Sequence, residues 1–307
     1  MFVDVVIVNW NTGHLLYECV ESVINFGGPS VSKIIVVDND SNDDSFLSAR
    51  GFTQVHFIQA KKNLGFGKAC NLGASFSKSE FILFLNPDAR VFPDTIKNAL
   101  IFMMSEENRK VGICGVQLNN ENGEIARTSS RFPSVLGLLS QSSGLSKLFP
   151  SLGSPMVEWD HTSTKVVDQV IGAFFLVRRH LFETLGGFDE QFFVYYEEVD
   201  FAFRANSLGW SNVYYTGSKA FHFGGGSSNQ VRAKRLFYSQ RSKILYARKH
   251  FNFFGLLFVL FGTLLIEPIT RTTASIFYRS FSSIKETLEA YHMLYKWLFS
   301  CNFEEEK

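Results

Sequence analysis

With 307 residues, 46% of them hydrophobic and 19% charged, the chain has enough apolar material for one large core or two smaller ones, which excludes a disordered or fibrous protein. A formal net charge of +1 gives no whole-molecule field for a polyanion and no nucleic-acid-binding motif is present, so no nucleic acid is expected as a partner. Cys19, Cys70, Cys114 and Cys301 have neither metal-type nor redox-type spacing and read as ordinary thiols in a reducing cytosol.

Val3 to Val8 reads as a buried strand. Asp4 interrupts the apolar run, and neither a basic segment nor a small-residue cleavage site flanks it, so a signal peptide is not expected. Leu15, Leu16, Cys19, Val20 and Val23 then follow helical spacing.

Lys33 to Val37 is the next strand, ending in Val36-Val37-Asp38-Asn39-Asp40-Ser41. An ionised carboxylate only accepts hydrogen bonds, so Asp38 suits the N–H at ring position three of uracil or thymine. Turn or helix-cap chemistry explains the same residues equally well. A calcium loop fails, because Asp43 stands where glycine is needed and Ala49 where the bidentate glutamate should be. A phosphohydrolase with Asp38 as nucleophile and Asp40 as acid or base lacks a convincing downstream lysine and acidic pair, and is the runner-up enzyme class.

Val55 to Ile58 is a third strand, followed by Asn63-Leu64-Gly65-Phe66-Gly67 and a helix with Ala69, Leu72 and Phe76 that holds Asn71. Glycines here let backbone amides approach a ligand, but the spacing is not that of a dinucleotide fingerprint, which disfavours a nicotinamide enzyme. Phe81 to Leu85 ends in Asn86-Pro87-Asp88, putting a metal-capable carboxylate at a strand's carboxyl end, where open α/β sheets bind ligands. Strands alternating with helices imply a doubly wound, mostly parallel α/β sheet forming a nucleotide-binding half over residues 1–118.

Pro93 starts a helix with Ile96, Leu100 and Met103, Val111 to Leu118 is a strand, and Asn119 to Gly123 a turn. Residues 128–165, rich in Ser, Gly and Pro, read as a long surface segment able to order over a substrate. Gly172 to Arg178 is a strand and Arg179 to Leu185 a short helix stopped by Gly186-Gly187. A further helix starts near Glu197 and ends at Gly209. Glu197 and Glu198 occupy its first turn in an aromatic setting that can raise a carboxyl pKa for general-base work. Asp200 and Arg204, four apart, are spaced to pair. His222 is the best second ligand for a cation on Asp88, although a lone histidine between aromatics is more often structural. The Gly224-Gly225-Gly226-Ser227-Ser228 run behind it suits an anion.

A boundary is placed at 228/229, separating a catalytic domain (1–228, with 119–228 as its acceptor half) from a helical region at 229–307. Val231 to His250 holds seven Lys and Arg and no acidic residue. Phe251 to Ile266 is nearly all apolar yet shorter than the roughly 20 residues of a comfortable span, which predicts an interfacial helix beside an anionic-lipid-seeking patch. Ile284, Leu288, Tyr291, Tyr295 and Leu298 form a helical stripe suited instead to packing on protein, including a homodimer through the C-terminal helices.

As a set, Val8-Asn9-Trp10-Asn11, the Asp38 and Asn63 motifs, Leu85-Asn86-Pro87-Asp88, Gly186-Gly187-Phe188-Asp189-Glu190, Phe192-Phe193-Val194-Tyr195-Tyr196-Glu197-Glu198-Val199-Asp200 and His222 resemble glycosyltransferase family 2. Within it, the chain is similar to the rhamnosyltransferase-like branch of bacterial surface polysaccharide assembly. The resemblance implies a GT-A fold, a dTDP- or UDP-sugar donor, inversion at the anomeric carbon, a divalent Mg or Mn ion and a polyprenyl-diphosphate-linked or oligosaccharide acceptor. It also implies a cytoplasmic protein peripheral on the inner membrane surface. By the same resemblance Asn9, Asp38, Asp40, Asn63, Gly65, Gly67, Asn71, Asn86 and Asp88 serve the donor, and Asp88 and His222 the metal. Glu198, standing where the family commonly has aspartate, is the base, with Glu197 second. Gly172, Asp189, Tyr196 and Asp200 fall on the acceptor side. A non-catalytic nucleotide-binding module is the reading from another class.

Overall fold

The computed structural model describes residues 2–224 and 231–300. The anion-loop residues Gly225, Gly226, Ser227 and Ser228, the 228/229 boundary and Cys301 lie outside the described residues. The strands are β1 Val3–Asn9, β2 Val31–Asp38, β3 Val55–Gln59, β4 Phe81–Leu85, β5 Ala89–Val91, β6 Val111–Asn119, β7 Ile125–Ala126, β8 Ser129–Ser130, β9 Lys165–Val167, β10 Gln169–Val170, β11 Phe174–Arg178 and β12 Ser211–His222. The helices are α1 Leu15–Phe26, α2 Ser45–Ala49, α3 Phe66–Ala74, α4 Thr95–Met104, α5 Val135–Ser143, α6 Leu145–Leu148, α7 Arg179–Thr184, α8 Glu197–Ser207, α9 Arg232–His250, α10 Phe253–Phe261, α11 Glu267–Phe277 and α12 Phe281–Phe299.

Residues 2–132, 155–193 and 197–224 form one compact unit around a sheet of order β3-β2-β1-β4-β11-β6-β12-β5. β3, β2, β1 and β4 run parallel. β11 is antiparallel to both β4 and β6, and β12 is parallel to β6. Two reversals therefore leave β12 parallel to β4, and its carboxyl end lies on the same sheet edge as those of β1, β2 and β4.

The alternation of strand side chains divides the core into two layers. Val3, Val5 and Ile7 face α1 and α4 through residues such as Leu16, Cys19, Val20, Leu100 and Met103. Val6 and Val8 face the other way, onto Ala69 and Cys70 of α3 and Phe201 and Ala202 of α8. Each buried Val, Leu, Ile, Phe or Met among them contributes about 1.5–3 kcal/mol by leaving water. Asp4 sits in β1 fully buried, its Oδ2 accepting from Ser77 Oγ at 2.8 Å, Lys78 N at 2.8 Å and Ser79 N at 3.0 Å. Burial opposes its charge, but these donors hold its carboxyl below the usual range.

β12 is an element the sequence pattern does not announce. Thr216, Gly217 and Ser218 break the alternation, and the register with β6 shifts between Tyr215 and Lys219. The irregular span expected over 128–165 is also corrected. Pro155 and the residues after it remain with the sheet, whereas 133–154 fold as α5 and α6 and group with the C-terminal helices. Ser134 caps α5, accepting from Gly137 N at 3.1 Å. The Ser and Gly residues that suggest a loop are small residues at helix contacts: a Cβ at Gly262 would come within 2.8 Å of Leu139 Cδ2 and 3.4 Å of Ser142 Oγ.

The second unit, residues 133–154, 194–196 and 231–300, has its core at Phe237, Ile244, Ala290, Tyr291 and Leu294. Leu288, expected on the packing stripe, is exposed, and Thr287 and Ala290 are buried instead. The apolar helix is longer than Phe251 to Ile266. It runs 25 residues, Phe253–Phe277, through a π-helical turn at Gly262–Ile266. It crosses Glu267-Pro268 because the π turn reorganises the preceding hydrogen bonds and Glu267 is neutralised: Lys243 Nζ donates to its Oε2 at 2.6 Å, and Gln240 Nε2 and Arg271 Nε to its Oε1 at 2.9 and 2.8 Å.

Candidate active site

Asp38 and Asn9 are register partners at the carboxyl ends of β2 and β1. Asp38 is 1% exposed: Asn9 Nδ2 donates to its Oδ1 at 2.8 Å and Ser41 N to its Oδ2 at 3.3 Å. A carboxylate has about four acceptor positions, so two remain. Its enclosure is unlike that of a nucleophile open to a phosphoester. Asp40 is exposed in the left-handed region, φ 65°.

Asn39, which sequence reasoning left as a turn residue, joins this turn to the glycine loop. Its Nδ2 donates to Asn63 Oδ1 at 2.9 Å and Gly65 O at 3.2 Å, and its Oδ1 accepts from Leu64 N at 2.8 Å. Gly65 has φ 80°, and a Cβ there would lie 2.3 Å from Phe193 O, which accepts from Phe66 N at 2.6 Å. Only glycine fits. The loop is thereby fastened to the segment that carries the acidic pair, and a Cβ at Gly67 would sit 3.4 Å from Glu197 Cβ. Asn71 acts as a clamp on a turn: it donates to Phe188 O at 2.8 Å and accepts from Phe188 N at 2.9 Å.

Glu197 and Glu198 open α8, directly after Tyr195 and Tyr196 at φ 68° and 72°. Consecutive bulky residues in that region cost about 1–3 kcal/mol each, and such strain concentrates at functional sites. Glu197 is 3% exposed and Glu198 half-buried, and the Oε2 of each is buried without a hydrogen-bond partner. Burial pushes both carboxyls up, and the charge of Glu198 pushes Glu197 further. Backbone amides at the helix start favour the ionised form of Glu198. Two carboxyls buried side by side oppose each other's ionisation, so the pair carries one negative charge more readily than two.

Asp200 is buried and pairs with Arg204 Nε at 2.7 Å, while Arg204 also donates to Leu185 O at 2.8 Å and Gly187 O at 2.9 Å. This fixes α8 against the Gly186-Gly187 turn. Asp189 accepts from Gln191 N at 3.1 Å, and Gly172 lies 3.7 Å, at its missing Cβ, from the Phe66 ring. Tyr196 belongs to the second unit, where its ring lies 5.4 Å from that of Tyr246.

Asn86-Pro87-Asp88 is a turn, with Ala89 N donating to Asn86 O at 3.0 Å, and Cys19 Sγ lies beneath it at 3.4 Å from Asn86 O. β5 then pairs with β12, setting Ala89 opposite His222, and Phe223 N donates to Asp88 O at 3.0 Å. His222 Nε2 comes to 3.3 Å from Asp88 Oδ1, the two side chains being 14% and 10% exposed. That nitrogen is nonetheless buried without a hydrogen-bond partner. An imidazole nitrogen and a carboxylate oxygen facing one another in this way suit a shared divalent cation, whose neighbouring ligands at about 2.1 Å lie roughly 3 Å apart. No group of three or more His, Cys, Asp or Glu able to hold a metal occurs among the described residues. Among the described residues, Asp88 and His222 are the pair that could hold a cation, with oxygens of other groups completing its coordination.

The model of Glycosyl transferase family 2 matches residues 4–186, a span that ends before Glu197, Glu198 and His222. N-acetylglucosaminyl-diphospho-decaprenol L-rhamnosyltransferase of Mycobacterium tuberculosis is 26% identical over 227 residues, 69% of this chain and 73% of that protein. Rhamnosyltransferase WbbL of Escherichia coli strain K12 is 26% identical over 231 residues, 71% of this chain and 83% of its own. Among solved structures, mannosyltransferase PcManGT of Pyrobaculum calidifontis in complex with GDP-Man and Mn2+ superposes with a TM-score of 0.56 at 15% identity, over 95% of this chain and 86% of that one. GalNAc-T7 with UDP, GalNAc and Mn2+ gives 0.54 at 17% identity, over 80% and 50%. The fold is GT-A.

Proposed function

The chain belongs to glycosyl transferase family 2 and is a glycosyltransferase, and we propose that it inverts the anomeric centre as it moves a hexose from a dTDP- or UDP-sugar to a lipid-diphosphate-linked saccharide. L-rhamnose is the proposed sugar, bacterial surface polysaccharide assembly the proposed setting, and the cytoplasmic membrane face the proposed location. The observation that carries this reading is the Asp88–His222 pair on the sheet edge that also holds Asp38. The named rhamnosyltransferase relatives support the sugar, and the decaprenol-linked substrate in one relative's name supports the acceptor class.

In this reading the donor base lies against the Asp38–Asn9 turn, and the Asn63–Gly67 loop brings backbone amides to the nucleotide. Asp88 and His222 would hold a Mg or Mn ion, which when bound offsets the charge of the departing diphosphate. Glu198 accepts the proton of the acceptor hydroxyl as its oxygen attacks the anomeric carbon from the face opposite the diphosphate. Glu197, buried beside it, raises the pKa of the pair, so a proton is taken up at the start of α8 more readily than by an isolated carboxylate. Asp200 and Arg204 keep the start of α8 in position.

A panel of nucleotide sugars offered with a lipid-diphosphate acceptor tests the proposal. Donor-dependent glycoside of inverted configuration, seen by NMR, is the expected product; release of free phosphate without glycoside would overturn it.

A further inference from the structure

The C-terminal unit carries a two-faced helix. On one face of Phe253–Phe277 lie Gly255, Val259, Gly262, Thr263 and Glu267, all buried. Their covering comes from the same unit: the Cβ position of Gly255 meets Val135 Cγ2 at 3.1 Å, that of Gly262 meets Leu139, and Glu267 is held by Lys243 of α9. The other face exposes Phe254, Leu257, Phe258, Phe261, Leu265 and Ile269, between 45% and 69% open. That spacing of three and four residues makes a continuous apolar stripe.

This 25-residue helix is long and apolar enough to cross a membrane. Crossing the bilayer would take α5 and the Lys243–Glu267–Arg271 cluster with it, since these cover its other face. The stripe fits a surface that is apolar on one side only. Its ends are basic: Arg248 and Lys249 precede it, exposed, and Arg279 follows Phe277 and Tyr278, also exposed. Between Arg248 and Ile284 the single acidic residue is Glu267, 5% exposed.

We infer that Phe253–Phe277 lies in the plane of an anionic bilayer surface, its Phe254–Ile269 stripe among the acyl chains and its Arg and Lys ends at the headgroups. The charge pattern selects lipid over a second copy of the chain, because two such faces would bring like charges together at both ends. The inference rests on the transferase reading for its purpose, which is to hold the enzyme where a lipid-borne acceptor is.

Full-length protein is sedimented with vesicles of phosphatidylcholine alone and of phosphatidylcholine with 30% phosphatidylglycerol. Binding is expected to the anionic vesicles and to fall as salt rises. The exposed double substitution Phe254→Glu/Phe258→Glu should lower it at least about tenfold, and Arg248→Glu/Lys249→Glu should weaken it to the level seen with neutral vesicles. Binding by the Phe variant equal to wild type, no binding to either vesicle, or protein that resists alkaline extraction as a spanning helix does would each overturn the inference. So would a wild-type dimer that the Phe variant converts to monomer without any change in vesicle binding. Turnover of nucleotide sugar onto a water-soluble acceptor is measured alongside. Its loss in wild-type protein that still binds vesicles would count against the transferase reading alone, and its retention in the Phe variant separates docking from chemistry.

Discussion

His222 Nε2 and Asp88 Oδ1 stand 3.3 Å apart although 134 positions separate the residues in sequence, and the nitrogen makes no hydrogen bond. A three-residue strand produces the approach: β5 pairs antiparallel with the end of β12, so that His222 lies across from Ala89.

Asp88→Asn and His222→Ala should each weaken manganese-dependent donor binding by at least about tenfold to a hundredfold, the range in which even residues behind a metal's ligands act. Calorimetric titration of the nucleotide sugar, with manganese and with chelator, reads this. Equal affinity of the variants and wild type in both conditions would exclude the pair as ligands.

The acidic pair makes a pH-dependent stability prediction. Burial and the charge of Glu198 raise the folded-state pKa of Glu197 well above its unfolded value. A group so raised favours the folded state fully below the unfolded pKa, and that contribution is lost as pH rises from there through the folded pKa. Glu197→Gln, which keeps the shape of the protonated acid, should therefore raise Tm at pH 7–8, with the gain shrinking as pH falls towards about 4.5. Thermal melts at four pH values would show it; a gain that grows on acidification would contradict it.

Gly65→Ala should disturb the site from outside the chemistry. A Cβ there would lie 2.3 Å from Phe193 O in a backbone of φ 80°, so the segment leading to Glu197 must shift. The expected loss is at least about 1–3 kcal/mol, read by urea unfolding, together with weaker donor binding. An unchanged midpoint would mean that the loop relaxes freely.

In the C-terminal unit Lys243 and Glu267 are 6% and 7% exposed at the side chain and 2.6 Å apart. Burial lowers the Lys243 pKa despite Glu267, while Lys243 and Arg271 hold the Glu267 carboxyl down against its own burial. Lys243→Met leaves a buried carboxylate short of its partner and should cost about 3–5 kcal/mol, and adding Glu267→Leu should restore much of that. A double variant no more stable than the single one would contradict the pairing.

The parallel half of the sheet was legible because β1, β2 and β4 carry buried, mostly apolar runs, broken in β1 by Asp4, with Asn9 and Asp38 at the ends of β1 and β2 and Asp88 in the turn after β4. β12 was not, since Thr216, Gly217 and Ser218 interrupt it where its register shifts. The approach of His222 to Asp88 depends on that strand, so the sequence could nominate His222 as a second ligand beside Asp88 without showing the strand pairing that brings the two together. Asn71 and Asn63 read as ligand contacts, and the structure adds that their side chains hold local backbone and Asn39, a role that an amide beside a glycine loop does not reveal in sequence. Small Ser and Gly residues at 133–154 likewise suited a loop as well as a close helix contact, and only the presence of α10 and α11 decides between them.

The most direct test of the catalytic assignment is single-turnover transfer by Glu198→Gln, with donor affinity measured on the same preparation. Loss of a general base predicts transfer slower by about 10²–10⁴-fold with donor affinity unchanged, and in wild-type protein a rate that climbs with pH through a midpoint above the usual glutamate range. Near-normal transfer by Glu198→Gln would contradict the account.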